Sequence, residues 1–183
     1  MTMTDDNPAA LDRNRFRGQS PRLGDAVWDR SDWQRLWIGT QRRPWRSLAV
    51  VAADGRVSTL EIANLITALG LRRGETMGVA DVRDVASSAV DSVLLLAEEI
   101  LAGGERLVFA ARPISENVAT IPVARFCDCV LLCVSMGSTS LALVEETVSQ
   151  VGKERFLGSL LIDLAGRPVT SGTSRRVGAG GCP

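Results

Sequence analysis

Ser58 and Thr59 open an amphipathic helix directly after an apolar strand and a short loop, in the stretch SLAVVAADGRVSTLEIANLITAL from Ser47 to Leu69. Strand, loop and helix in that order make a phosphate-binding layout, because loop N–H groups and a helix N-terminus gather around an anion. Such a loop needs glycines to admit the phosphate and a lysine to neutralise its oxygens. With Ser58-Thr59 at the Ser/Thr end of the pattern, Val57 takes the lysine position and Arg56 a glycine position. The chain's one lysine, Lys153, lies far downstream. Gly55, Arg56, Ser58 and Thr59 are thus candidates for a vestigial nucleotide-binding cradle. The plainer reading makes Ser58 a helix N-cap.

Asp81 and Arg83 end a second strand, at the carboxyl edge where parallel sheets bind ligands. They read as part of that vestigial site or as a local ion pair. Cys127, Cys129 and Cys133 share parity and are expected on one side of a strand. C-x-C-x3-C lacks a fourth ligand, so packing rather than metal is expected. Trp28, Trp33, Trp37 and Trp45 interleave with arginines, which suggests a partner-docking helix carrying Trp33, Trp37, Arg42 and Arg43. The alternative is a helix that covers an edge of the sheet.

Composition narrows the chemistry. The chain has no histidine and no tyrosine, which removes the commonest general base and metal ligand and any Ser-His or Cys-His nucleophile. No catalytic residue is assigned. Residues 1–45 carry eight arginines against six acids, residues 46–164 ten basic against fifteen acidic groups, and the remainder three arginines. A negative body between weakly basic ends argues against nucleic acid as a partner. The acidic start MTMTDDNPAA has no apolar h-region, and no apolar run reaches the ~18 residues of a membrane span. A cytoplasmic protein with reduced cysteines is expected, with peripheral association at the inner face of the plasma membrane as a further possibility of the Trp/Arg segment.

The elements that must position these residues alternate. Residues 1–24 read as disordered, 25–45 as a segment holding a short helix over 32–38, 46–164 as the folded domain, and 165–183 as a flexible tail. Within the domain, strands are predicted at 47–52, 76–81, 106–111, 129–135 and 156–162. Helices are predicted at 58–70, 86–102, 116–126 and 138–151, the third containing Pro122. Strands apolar on both faces, alternating with helices, predict a small doubly wound α/β domain with a five-stranded parallel sheet and helices on both sides.

Arg106–Asp163 contains an apolar strand ending in a proline turn and a helix with Ile121-Pro122, Ala124-Arg125 and Asp128. There follow a strand ending Val134-x-x-Gly137-x-Thr139 and a final Phe156-Leu157-Gly158 strand. This resembles the C-terminal half of the P-loop domain of bacterial capsular and exopolysaccharide biosynthesis tyrosine autokinases, the chain-length co-polymerase family related to the ParA/MinD ATPases. Ser47–Leu69 is similar to that family's first strand, Walker A loop and S-T-x-x-x-N-L helix, with Asn64-Leu65 in register. Val79-Ala80-Asp81-Val82-Arg83 is similar to its D-x-D-x-R motif. The resemblance spans about residues 46–163.

The departures fall on charge. Val57 replaces the Walker lysine, Val79 the first Asp of the second motif, and Ala110-Ala111-Arg112-Pro113 has no Walker B carboxylate. Phosphoryl transfer depends on such electrostatics, so the resemblance implies a non-catalytic member without ATP or Mg²⁺ as cofactor. It further implies a role in exopolysaccharide or capsule production, exerted by contact with a polysaccharide export or chain-length membrane protein. Two alternatives stand beside it: an ATP-binding enzyme in which Arg56 stands in for lysine, and a ParA/MinD-like positioning scaffold.

Overall fold

The computed structural model describes residues 31–162. The segments read as disordered or flexible at 1–24 and 165–183, with Trp28 and Cys182, lie outside them. The order is α1 (Ser31–Thr40), β1 (Ser47–Ala52), α2 (Thr59–Leu71), β2 (Met77–Asp81), α3 (Val90–Ala102), β3 (Arg106–Ala111), α4 (Thr120–Phe126), β4 (Cys129–Ser135), α5 (Leu141–Val151) and β5 (Phe156–Ile162). A 3₁₀ turn, Ser87–Ala89, leads into α3 and another, Lys153–Arg155, into β5.

The five strands form one parallel sheet in the order β2-β3-β1-β4-β5. β1 is central and buried at all six positions, which is why its sequence is continuously apolar rather than alternating. Side chains leave a strand alternately to its two faces. Leu48 and Val50 of β1 meet Trp33 and Trp37 of α1 and Ile62, Leu65, Ile66 and Leu69 of α2. Ala49 and Val51 meet the opposite layer, formed by Val93 and Ala97 of α3, Val123 and Ala124 of α4 and Val151 of α5. The doubly wound sandwich expected from the alternating pattern is the fold.

Three helices are shorter than expected. The one predicted at 86–102 starts at Val90, after the 3₁₀ turn Ser87–Ala89. The helix predicted at 116–126 starts at Thr120, which puts Pro122 in the first turn, where its missing N–H costs nothing. Asn117 marks the boundary: its Oδ1 accepts from Ala119 N at 3.0 Å and its Nδ2 donates to the carbonyls of Arg83 and Val85. The helix predicted from 138 starts at Leu141, because Ser140 is its N-cap and accepts from Leu143 N. Gly137, at φ 74°, makes the turn between β4 and that cap, a backbone conformation costly for any side chain.

Candidate functional site

The carboxyl ends of β1 and β3 lie side by side, and their connections leave to opposite faces of the sheet. The β1 connection carries α2 to one face; the β3 connection carries α4 to the other. That reversal opens the crevice where doubly wound folds take ligands. Here it is bounded by the loop Ala53–Ser58 and by the segment from Arg112 to Ala119.

The loop is pinned at both ends. Ala53 N donates to the Cys133 carbonyl of β4 at 2.9 Å. Asp54 Oδ1 accepts from Arg56 N at 3.0 Å, tightening the turn. Its Oδ2 accepts from Thr139 Oγ1 at 2.6 Å, and that hydroxyl accepts in turn from Ser135 N. At the far end Ser58 is extended and its Oγ accepts from Glu61 N, so it caps α2. Thr59 is buried and donates its hydroxyl to the Ala111 carbonyl at 2.9 Å, fastening the start of α2 to the end of β3.

Across the crevice a set of ion pairs covers the sheet edge. Arg83 grips Asp81 with two parallel bonds, Nε to Oδ1 and Nη2 to Oδ2, each 2.8 Å. That hydrogen bonding holds the Arg83 guanidinium above its ordinary pKa. Arg112, immediately after β3, donates through Nε and Nη2 to Asp84 Oδ1 at 3.0 and 2.8 Å and through Nη1 to Glu116 Oε2 at 3.3 Å. Its pKa is likewise raised, chiefly by the bond to Asp84. Glu116 then lies directly on the loop: a Cβ at Gly55 would collide with its Oε1 and come within 3.2 Å of its Cδ. The glycine's clearance is therefore used by the chain's own carboxylate.

No family model matches the chain, and no curated protein or solved structure matches it.

The structure brings Gly55, Arg56, Ser58 and Thr59 together at one loop, but it commits both hydroxyls and the glycine elsewhere. Thr59 serves β3, Ser58 caps the helix, and Gly55 meets Glu116. Asp81 and Arg83 sit at the same edge as a closed pair. The residues that sequence reasoning did not single out are Asp54, Asp84 and Glu116, and Thr139 entered only as the end of a motif. Glu116 is four residues after Arg112, a spacing that favours pairing across one turn, yet its contact with Gly55 spans two crossovers and has no local signal.

Of the four residues expected to dock a partner, the two tryptophans turn inward, and Arg43, though exposed, bonds within the chain. Trp33 and Trp37 are buried, 7% and 6% exposed, and cover the sheet and α2. Arg73 lies over the Trp37 ring at 5.2 Å and bonds Gln34, tying α1 to α2. Arg43 Nη1 donates to the Glu154 carbonyl at 2.8 Å, closing α1 onto the start of β5. Arg42 stays on the surface. The segment is a cover whose outer stripe is free of its tryptophans, since burying two indoles is worth more than exposing them. Trp45 completes the cover: its Nε1 donates to the Thr40 carbonyl and Arg106 stacks on it at 3.7 Å.

The cysteines divide differently from the parity reading. Cys129 and Cys133 face α1 and α2, whereas Cys127 belongs to the opposite core layer. Cys127 is the C-cap of α4 and precedes the strand, so strand parity does not extend to it. Burial pushes the Cys133 thiol up to about 12 and holds Cys127 well above its ordinary value. Among the described residues no group of three or more Cys, Asp or Glu side chains gathers as a metal site. Nor is any described helix long and apolar enough to cross a membrane.

Proposed function

We propose that this chain is a P-loop-like protein without nucleotide chemistry that regulates or scaffolds exopolysaccharide or capsule production by protein contact, at the inner face of the plasma membrane. One observation carries the non-catalytic part: the Glu116 carboxylate, tethered by Arg112, rests on Gly55 in the switch-point crevice. A phosphate entering there would meet a negative charge and a filled space. Of the other charged side chains around the crevice, Asp54, Asp81 and Asp84 are carboxylates, Arg83 and Arg112 are already paired, and Arg56 is exposed on the loop. An ATP site needs the reverse arrangement, with free cations and an empty glycine loop.

The polysaccharide part rests on the motif resemblance between Arg46 and Asp163, and the partner it implies is an export or chain-length membrane protein. The test has two arms. Calorimetry of the purified full chain with millimolar ATP and Mg²⁺ should give no binding heat; micromolar binding would overturn the non-catalytic reading. Deleting the gene in its source organism should change the amount or chain length of surface polysaccharide. An unchanged polysaccharide profile would overturn the assignment to that process.

A further inference from the structure

The two edges of the sheet hold charge differently. The connections that enter the strands at their amino ends, 41–46, 72–76, 103–105, 127–128 and 152–155, carry seven basic residues against four acids. Those that leave the carboxyl ends, 53–58, 82–89, 112–119 and 136–140, carry three against three. At the carboxyl edge Arg83 and Arg112 are held by carboxylates. At the amino edge four arginines are held by main-chain carbonyls instead. Arg43 donates to Glu154 O at 2.8 Å, Arg73 to Leu69 O at 3.0 Å, Arg125 to Gln150 O at 2.6 Å and Arg155 to Cys127 O at 3.0 Å. Three of those carbonyls sit at helix C-termini, where a cation is favoured. A carbonyl fixes a guanidinium without cancelling its charge.

Arg42, Arg46 and Lys153 are exposed in the same connections. Two of the four acids there are committed within the chain. Asp128 accepts from Arg46 N, Ser47 N and the Ser47 hydroxyl, and Glu75 pairs with Arg106 at 3.5 Å. Glu105, with Glu98 and Glu99, belongs to the end of α3, on the opposite face of the sheet from α1 and α2. Only Glu154 is left among the basic side chains on the α1–α2 side.

That side also carries exposed aliphatics. Ile38, near the end of α1, and Leu71, the last residue of α2, are 68% and 43% exposed. The two helix ends lie together, because Trp37 packs on Gly70 and Arg73 bonds Gln34. Aliphatic side chains set among arginines and lysine suit a bilayer surface: the aliphatics enter the headgroup boundary while the long basic side chains reach its phosphates.

We infer that the amino edge of the sheet, on its α1–α2 side, docks on an anionic lipid bilayer. The four tethered arginines stand at separate points along the edge, so their charges spread as a plane of headgroups requires instead of converging on one phosphate. Trp33, Trp37 and Trp45 are buried, which removes the aromatic platforms on which single-stranded nucleic acid would stack. The inference deepens the location proposed above and rests on that reading for the membrane alone. Vesicle binding and polysaccharide output are separate measurements, so either can fail without the other.

The experiment sediments the full chain, under reducing conditions, with vesicles of phosphatidylcholine alone or containing about 30% phosphatidylglycerol. The protein should pellet with the anionic vesicles only. Raising the ionic strength from about 0.1 to about 1 M shortens the screening length from about 10 to about 3 Å and should release it. Each basic residue near such a surface raises affinity about fivefold, so Arg42→Gln combined with Lys153→Gln should weaken binding by about 25-fold. Ile38→Ser combined with Leu71→Ser should weaken it by about tenfold or more. Leu95→Ser, at a site 62% exposed on α3, should leave it unchanged.

All these side chains are exposed, so the variants should keep the wild-type melting temperature. If one does not, a fluorophore on Ile38→Cys or Leu95→Cys, in a Cys182→Ser background, replaces it. On anionic vesicles the first should shift to the blue and the second should not. No binding to anionic vesicles, equal binding to neutral ones, or undiminished binding by the paired variants would overturn the inference. So would displacement by millimolar glycerol phosphate, which would mean a discrete phosphate site, or tighter binding to single-stranded RNA than to vesicles.

Discussion

Replacing Trp37 by alanine tests whether α1 is part of the fold or an appendage to it. The indole is 6% exposed and packs against Gly70, where an added Cβ would lie 2.9 Å from its Cη2, and against the Met77 side chain that reaches the same glycine. A buried tryptophan removes about 150–250 Å² from water. At ~25 cal/mol per Å² that is about 4–6 kcal/mol, an upper value because unfolded chains already bury some surface. Measured large-to-small changes at buried aromatics give about 3–5 kcal/mol, including the cavity left behind. The two routes converge on ~4 kcal/mol. Loss of the ring also removes the face over which Arg73 sits, a smaller term of about 0.5–1 kcal/mol at an exposed site. The assay is urea unfolding followed by circular dichroism. With a slope of about 2 kcal/mol per M, the midpoint should fall by about 2 M. Ile38→Ala, one residue away but 68% exposed, should move stability by no more than about 0.5 kcal/mol. Equal small effects for Trp37 and Ile38 would refute the covering role, as would a chain lacking residues 1–40 that unfolds at the wild-type midpoint.

Further outcomes follow from single contacts. Thr59→Val should cost about 1–3 kcal/mol, because it leaves the buried Ala111 carbonyl without its donor; a neutral substitution measured by urea unfolding would show that the hydroxyl does not fasten α2 to β3. At Asp128 burial pushes the carboxyl pKa up, but bonds from Arg46 N, Ser47 N and the Ser47 hydroxyl outweigh it and hold it below the ordinary value. A depressed folded pKa contributes stability above the unfolded value, about 4, and loses it as the pH falls through the folded value. Asp128→Asn should therefore destabilise by ~1 kcal/mol at pH 7, a modest figure for an exposed group. The gap should narrow below about pH 4; a gap that is constant from pH 7 to 3 would contradict this. In a Cys182→Ser background, Cys133 should react with thiol reagents at pH 8 about a thousandfold slower in the native protein than in urea, and Cys127 and Cys129 should also be slowed, because burial suppresses the thiolate. Fast native labelling would refute it.

Much of this protein is legible without its fold. Continuous apolar strands such as Ser47–Ala52 and Cys129–Ser135, alternating with helical periodicity, require a parallel sheet covered on both sides, because only that arrangement buries both strand faces. The end of α2's loop is equally local: a Ser before an amphipathic run caps it wherever the helix lies. The missing Walker lysine is a fact of composition. What tertiary structure alone decided is which charges face which spaces. Nothing within ten residues of Gly55 announces that a glutamate from the β3–α4 connection rests on it. That contact exists because β1 and β3 are neighbours whose connections leave on opposite faces. The tryptophan helix is the same case. Its pattern of Trp33, Leu36 and Trp37 establishes an apolar stripe, but an apolar stripe meets a partner or its own sheet with the same periodicity. The choice went to the sheet because β5 and α2 offer an apolar surface beside it, and a surface within one chain is met without the entropy cost of association.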